Sequence, residues 1–246
     1  MTCIVLIIIY PNNNTHFKFM SMFYFRINKI KIFDSKGERN LLVFGKKKAQ
    51  VKLISFIITN KSGNLPDMKE YLNANEEVVK EGILKDAVHS VVSSRILTPI
   101  ENVKDNHQLT FGDTGYVLHQ SDEIPECFDW QFIAYESDRN VRDTSDLVKD
   151  IINDEGFEGF SKNIGSVIKA ATNPAYSAYV EIARFAINII AKTSKKNKDD
   201  MIGVLYMSLN RTEHYFHGER KKDDVPDLTN NMTIDYSIFA TSKNNS

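Results

Sequence analysis

Cysteine is scarce in this chain of 246 residues, which contains only Cys3 and Cys127. Two cysteines do not make a disulfide framework, so the sequence gives no sign of an oxidising compartment. Neither thiol stands beside a recognisable catalytic partner, and no Ser-His-Asp or Cys-His arrangement has a spacing that supports nucleophilic catalysis. A glycine loop that could cradle a phosphate is also missing from the sequence. We therefore expect a protein that is not an enzyme.

Net charge is close to zero, at −1, and the sequence pI is about 6.6. This balance, together with the lack of an RNP-like motif, gives no reason to expect nucleic-acid binding. The charges are unevenly distributed, because nine basic residues fall within residues 26–52 and twelve acidic residues within residues 122–158. The asymmetry indicates either a molecule with a positive face and a negative end, or two ordinary solvated faces.

The sequence has no apolar run long enough for a membrane-spanning helix. Residues 3–10 are strongly apolar but number only eight, whereas a spanning helix needs roughly 20. This segment also lacks the basic start and the small-residue cleavage site of a secretory signal, so the cytoplasm is the default localisation. We expect residues 1–19 to be either a leader, with the fold starting near Met20 or Met22, or an extra β-strand. Residues 241–246 are expected to form a tail.

Hydrophobic residues make up 42% of the chain, enough for one large domain with a buried core. Helical spacing predicts four helices: one at residues 75–92, two short ones around residues 147–152 and 160–168, and a fourth that starts from a cap at Asn173 with Pro174 in its first turn. Residues 213–227 are polar and are expected to form a loop. Alternating apolar residues predict strands at residues 23–33, 50–59, 109–119, 129–135, 201–209 and 232–240. Strands at both ends with helices between them are typical of an α+β fold.

The helix over residues 174–192 is apolar around most of its circumference. Only Glu181, Arg184, Asn188 and Lys192 keep a polar edge on it. Such a helix is either buried against its own domain or used as an interface with a partner or a membrane surface. The second interpretation gives one alternative function, a metal-free structural or assembly protein.

Carboxylates gather at the ends of two predicted strands. Glu136 and Asp138 follow the strand at residues 129–135, and Asp199 and Asp200 precede the strand at residues 201–209. Asp34 follows the first strand. Calcium takes six to eight oxygen ligands, largely carboxylates, carbonyls and water, so these five residues are the predicted metal ligands if the loops converge. A metal-dependent hydrolase that uses Asp138, Asp199 and Asp200 is a further alternative.

These segments resemble the calcium loops of the C2 domain family. The strand that ends in Glu136-Ser137-Asp138-Arg139 and the stretch Asp199-Asp200-Met201-Ile202-Gly203 are similar to the third calcium loop. The first strand with Asp34 and Gly37 is similar to the family's first strand and first loop. The resemblance implies an antiparallel β-sandwich over residues 20–240, with a helical insertion at about residues 141–196 inside the third loop. It also implies Ca²⁺ as the bound ion.

A basic run lies between the first two strands. Lys46, Lys47 and Lys48, with Lys52, could attract an anionic membrane surface or a protein partner, at about 1 kcal/mol per basic residue near a lipid surface. The alternative is a solvated hairpin or an edge strand guarded against aggregation. A second metal interpretation, zinc held by His214 and His217, lacks the His-Glu-x-x-His spacing, and the charges around it favour a loop.

Overall fold

The computed structural model describes residues 21–36, 48–61, 68–136, 143–196, 200–216 and 218–241. The predicted leader or extra strand at residues 1–19 lies outside this part of the chain, as do residues 242–246. Within it the chain forms nine strands and six helices. The strands are β1 (Met22–Ile32), β2 (Ala49–Thr59), β3 (Ile96–Val103), β4 (His107–Thr110), β5 (Tyr116–Ser121), β6 (Cys127–Glu136), β7 (Asp200–Asn210), β8 (Gly218–Pro226) and β9 (Met232–Thr241). The helices are α1 (Met68–Asn73), α2 (Glu77–Ser93), α3 (Thr144–Ile152), α4 (Phe157–Ala170), α5 (Pro174–Lys196) and α6 (Arg211–His214).

The strands form two antiparallel sheets. The first sheet has the order β4-β1-β9-β8, with β5 also pairing with β1, and the second has the order β3-β2-β6-β7. Alternate residues of each strand point to opposite faces, so Phe25 of the first sheet meets Trp130 of the second, with ring centroids 5.0 Å apart. The predicted α+β fold, an antiparallel sandwich with inserted helices, is therefore confirmed.

A second core lies on the other face of the second sheet, under the helices. Ile133 and Tyr135 of β6 contribute to it, together with the apolar face of α5. The helix begins as predicted, because the Asn173 side chain accepts a hydrogen bond from the Tyr176 amide (3.2 Å) and Pro174 is the first helical residue. Among the described residues, no helix combines the length and apolar character that crossing a bilayer requires.

The apolar stripe of α5 is covered by the chain itself. Ile182 is fully buried and Ile187 is 1% exposed, and both belong to the core between α5 and the second sheet. The Gln131 side chain donates a hydrogen bond to the Val180 carbonyl (3.2 Å), which fixes the helix on the sheet. Of the two interpretations of this helix, burial against its own domain is therefore correct for the stripe, which packs against strands of its own chain. The interpretation of the stripe as an interface with a partner is wrong.

Two local predictions were wrong, and one strand was missed. Residues 213–227, expected to be a loop, contain strand β8, which pairs with β9. Residues 109–119, expected to be one strand, are split into β4 and β5 by a turn in which Gly112 and Gly115 have positive φ values of 70° and 66°. Strand β3 was not predicted at all. Edge strands and short strands carry less alternation, because fewer of their side chains face a core.

Candidate functional site

The end of β6 and the start of β7 bring two of the predicted ligands together. Glu136 and Asp200 are directly opposite each other in the antiparallel ladder, a geometry that places Cβ atoms about 4.5–5.5 Å apart on one face. Glu136 shares the face of β6 that carries Ala134, which packs inside the sandwich. Two like charges in directly opposite positions destabilise a strand pair. A cation placed between the two carboxylates would be attracted to both.

The loop after β1 lies at the same end of the sandwich. The Asn231 side chain donates to the carbonyls of Asp34 and Ile202, each at 2.9 Å, and accepts from the Asp34 amide at 2.9 Å. Ile202 is two residues from Asp200 in β7. One asparagine therefore links the predicted first calcium loop to β7, the strand that carries Asp200.

The Asp34 carboxylate is engaged locally. It accepts from the Lys36 amide (3.0 Å) and pairs with the Lys36 ammonium (2.8 Å). Beside it, Ser35 is fully buried, and its amide and hydroxyl both donate to the Asp105 carboxylate at 3.0 Å. The backbone of this loop is thus fixed at the acidic end, while the Asp34 carboxylate is bound to its own turn.

The other two predicted ligands, Asp138 and Asp199, lie outside the described residues. Consecutive Cα atoms are about 3.8 Å apart, so chain connectivity alone keeps Asp199 next to Asp200 and Asp138 within two residues of Glu136. Across the described ranges, no three His, Cys, Asp or Glu side chains are grouped so that they could hold a metal ion. A metal site at this end would therefore require Asp138 or Asp199 in addition to the Glu136–Asp200 pair.

The predicted basic surface is only partly described. Lys46 and Lys47 lie outside the described residues, and Lys48 is exposed immediately before β2. Because Val51 is paired with Glu136, the start of β2 lies at the acidic end of the second sheet. Lys52 is only 6% exposed, so the prediction that it lies on a membrane or partner surface is wrong. It shares the face of β2 that packs under the helices, so it is not available to a membrane.

An important carboxylate at this end was missed from the sequence. Asp227, only 3% exposed, follows β8 in the stretch expected to be a polar loop. One oxygen accepts from the amides of Val204 (3.0 Å) and Thr229 (2.8 Å), and the other from the amides of Asn231 (2.9 Å) and Met232 (2.8 Å). These bonds fix the turn that carries Asn231. No sequence motif marks Asp227, because its donors come both from β7 and from the turn at residues 229–232.

Comparison with known proteins assigns no family. The chain matches no protein-family model, and no curated protein is significantly similar to it. Among solved structures, a Drosophila structure described as C2-DSL-EGF1 is similar at 10% sequence identity and a TM-score of 0.35, covering 92% of this chain and 69% of that chain. The resemblance to the C2 domain family therefore stays a prediction from the sequence.

Proposed function

We propose that this chain is a non-enzymatic binding module that holds a calcium ion at the acidic end of its sandwich. The observation that carries the proposal is the cross-strand pair of Glu136 and Asp200. Asp138 and Asp199 adjoin these residues in sequence and would complete the set of carboxylates. Asp34 would contribute from the neighbouring loop if its carboxylate exchanged Lys36 for the ion.

Calcium suits this set of residues better than the other common ions. It accepts six to eight oxygens in flexible geometry, from carboxylates, carbonyls and water, whereas zinc favours four ligands that include His or Cys. The candidate ligands are all carboxylates at strand ends. Bound Ca²⁺ would neutralise part of their charge and so change the electrostatic potential of that end of the molecule.

We further propose that the charged end attaches to an anionic membrane surface or a protein partner. Lys48 supports this proposal, because it is exposed and precedes the strand that pairs with Glu136. Lys46 and Lys47 adjoin it in sequence. With calcium bound, the acidic side chains would repel anionic headgroups less, and the lysines would then attract them with about 1 kcal/mol each.

Calorimetric titration with Ca²⁺ tests the calcium site. We expect heat of binding and a rise in melting temperature, since a ligand that binds only the folded state stabilises it. Asp200→Asn should weaken Ca²⁺ binding by about tenfold or more, because it removes the negative charge of the side chain and one of its two oxygens. Asp122→Asn is the matched control. It removes the same charge from an exposed turn after β5 and should leave binding unchanged.

Two outcomes would reject the calcium proposal. One is the absence of heat and of a melting shift with Ca²⁺ at millimolar concentration. The other is equal weakening by Asp200→Asn and Asp122→Asn, which would indicate a diffuse charge effect. Sedimentation with vesicles of phosphatidylserine and phosphatidylcholine, with and without Ca²⁺, then tests attachment. Membrane attachment is supported if the protein binds the vesicles only with Ca²⁺ and loses this binding when Lys46, Lys47 and Lys48 are replaced by Gln. Vesicle binding that is the same with and without Ca²⁺ would reject the proposal of calcium-dependent attachment.

A further inference from the structure

A small cleft opens at the edge of the sandwich away from the proposed calcium site. It has a volume of about 140 Å³ and lies where α6 approaches β8 and β9. The residues that line it are Glu213, His214, Arg220, Lys222, Tyr236 and Ile238. Clefts for drug-sized ligands measure about 300–1,000 Å³, so this one is suited to a ligand of a few heavy atoms.

The floor of the cleft is a buried tyrosine. Tyr236 is 7% exposed, and its ring packs inside the sandwich 5.6 Å from the ring of Phe25. Its hydroxyl makes no hydrogen bond with any residue in the described part of the chain. The hydroxyl oxygen is not among the fully buried side-chain atoms that lack a partner, so it is open to the cleft. Since Tyr236 lines the cleft, its hydroxyl is placed to donate to an acceptor bound there.

Two cations stand at the rim of the cleft. Lys222 lies directly opposite Tyr236, and Arg220 directly opposite Ile238, in the pairing of β8 with β9. The Arg220 guanidinium donates to the Glu213 carbonyl (2.7 Å), which holds it beside the opening. Neither cation forms an ion pair with a carboxylate of the described residues. Both therefore keep donors available to a ligand.

The remaining polar groups favour an acceptor ligand. Nδ1 of His214 accepts from the Asn210 amide (3.1 Å), so the neutral ring carries its proton on Nε2 and donates from there. The Glu213 carboxylate is turned to the Asn210 side chain, which donates to it at 2.8 Å. The two positive charges thus exceed the one negative charge, and every polar group of the lining except Glu213 offers a donor.

We propose that this cleft binds a phosphate-type oxyanion, held by Arg220, Lys222, the Tyr236 hydroxyl and His214. A tetrahedral oxyanion presents several acceptor oxygens in a small volume, and charge-assisted bonds from Arg and Lys are the strongest donors that proteins offer it. The oxyanion could be free phosphate or the phosphomonoester headgroup of a lipid, because both present the same chemistry. The site shares no residue with the proposed calcium ligands.

Titration of the full chain with inorganic phosphate, followed by calorimetry, tests the site. Tyr236→Phe is the sharpest variant, because it removes only a hydroxyl that has no partner in the described protein and should leave folding intact. We expect phosphate affinity to fall several-fold in Tyr236→Phe, and by about tenfold in Arg220→Gln and in Lys222→Gln. The matched control is Lys221→Gln. Lys221 is the intervening residue of the same strand and points to the opposite face.

Vesicle sedimentation separates the two sources of the oxyanion. Without Ca²⁺, so that the proposed calcium site does not contribute, binding to phosphatidic acid vesicles but not to phosphatidylserine vesicles, lost in Tyr236→Phe, would identify a lipid headgroup. Phosphate binding without vesicle binding would identify the free ion. Either result supports the site. The proposal is overturned if neither phosphate nor phosphatidic acid binds. It is also overturned if Lys221→Gln weakens binding as much as Lys222→Gln, because attraction would then be diffuse. Asp200→Asn should not affect phosphate binding, so the calcium and oxyanion proposals can fail separately.

Discussion

At the residue scale, Asp129 is an unusual carboxylate because it is buried between a helix and a sheet. It lies in β6, is 2% exposed, and accepts hydrogen bonds from the hydroxyls of Ser208 (2.5 Å) and Tyr176. Burial raises the pKa of this carboxyl group, and the hydrogen bond from Ser208 opposes the rise. The net shift means that the folded state holds the proton more tightly than the unfolded chain.

The pH dependence of stability follows from this shift. An unfolded Asp has a pKa of about 3.9. Stability from protonated Asp129 is complete below that value and is lost as pH rises through the window up to the higher folded pKa. Asp129→Asn removes the titration and keeps an acceptor for Tyr176. We therefore expect the free energy of unfolding of the wild type, relative to Asp129→Asn, to fall as pH rises from about 3.5 towards neutrality.

Urea denaturation of both proteins across this pH range measures the difference directly. Other carboxylates titrate equally in the two proteins and cancel in the comparison. Asp122→Asn, on an exposed turn, serves as the control for the loss of one carboxylate from the chain. A wild type that gains stability over Asp129→Asn as pH rises would contradict the expected sign, and would mean that the hydroxyl donors outweigh burial.

The residues of the candidate site show what could and could not be predicted from the sequence. The position of Glu136 and Asp200 at strand ends was visible, because apolar alternation stops at both residues. The attachment of the Asp34 carboxylate to Lys36 is a local turn contact that the same residues allow but do not require. The burial of Lys52 was not predictable, since one lysine in an apolar strand has the same pattern whether it faces solvent or a helix layer. Tertiary packing decides that question.

At the element scale, a glycine in a helix and a glycine in a strand differ in the space available for a side chain. Gly82 lies on the exposed face of α2, and an added Cβ would meet no heavy atom within 4 Å. Gly203 lies in β7, where an added Cβ would be 2.8 Å from the Met232 sulfur and 3.0 Å from an Asp227 carboxylate oxygen. That oxygen is held by the Val204 amide at 3.0 Å, so it has little freedom to move away.

Alanine at the two positions should therefore change stability in opposite directions. Gly82→Ala should raise the free energy of unfolding by about 0.5–1 kcal/mol, because it removes backbone entropy from the unfolded chain and adds a strong helix former. Gly203→Ala should lower it by about 1–3 kcal/mol through overpacking. Chemical denaturation of the two variants beside the wild type measures both, each variant serving as the control for the other. Stabilisation by Gly203→Ala would show that the Asp227 turn adapts freely.

The strands found and missed from the sequence differ in how many cores they touch. Strands β1, β2, β6 and β9 have a neighbour on each side and a buried face, and β7, although it ends the second sheet, buries Ile202, Leu205 and Leu209, so the apolar residues of these strands predict them. Residues 219–224 of β8 are all exposed, because β8 is an edge strand, and their charges resemble those of a loop. The Tyr236 cleft depends on that edge strand, so it could not be predicted until β8 was paired with β9.

At the scale of the whole molecule, β6 joins two separate cores. Trp130 and Phe132 point into the sandwich between the sheets, and Ile133 and Tyr135 point into the core under the helices. Side chains in both cores therefore depend on the same backbone hydrogen bonds to β2 and β7. Loss of β6 from the second sheet would open both cores together, which favours one cooperative unfolding transition.

Unfolding followed by two signals tests this coupling. Trp130 is the single tryptophan and reports on the sandwich core, whereas far-ultraviolet circular dichroism reports mainly on the helices. We expect both signals to change at one urea concentration, and Ile187→Ala in the helical core to lower both midpoints together, at a cost of about 2–5 kcal/mol. Val78→Ala is the control, since Val78 is 80% exposed and its loss should leave the midpoints nearly unchanged. If Ile187→Ala shifted only the helical signal, the helical layer would unfold separately and β6 would not couple the cores.

The midpoints should also be independent of protein concentration, because the α5 stripe is buried within one chain. A midpoint that rises with protein concentration would instead indicate an assembly.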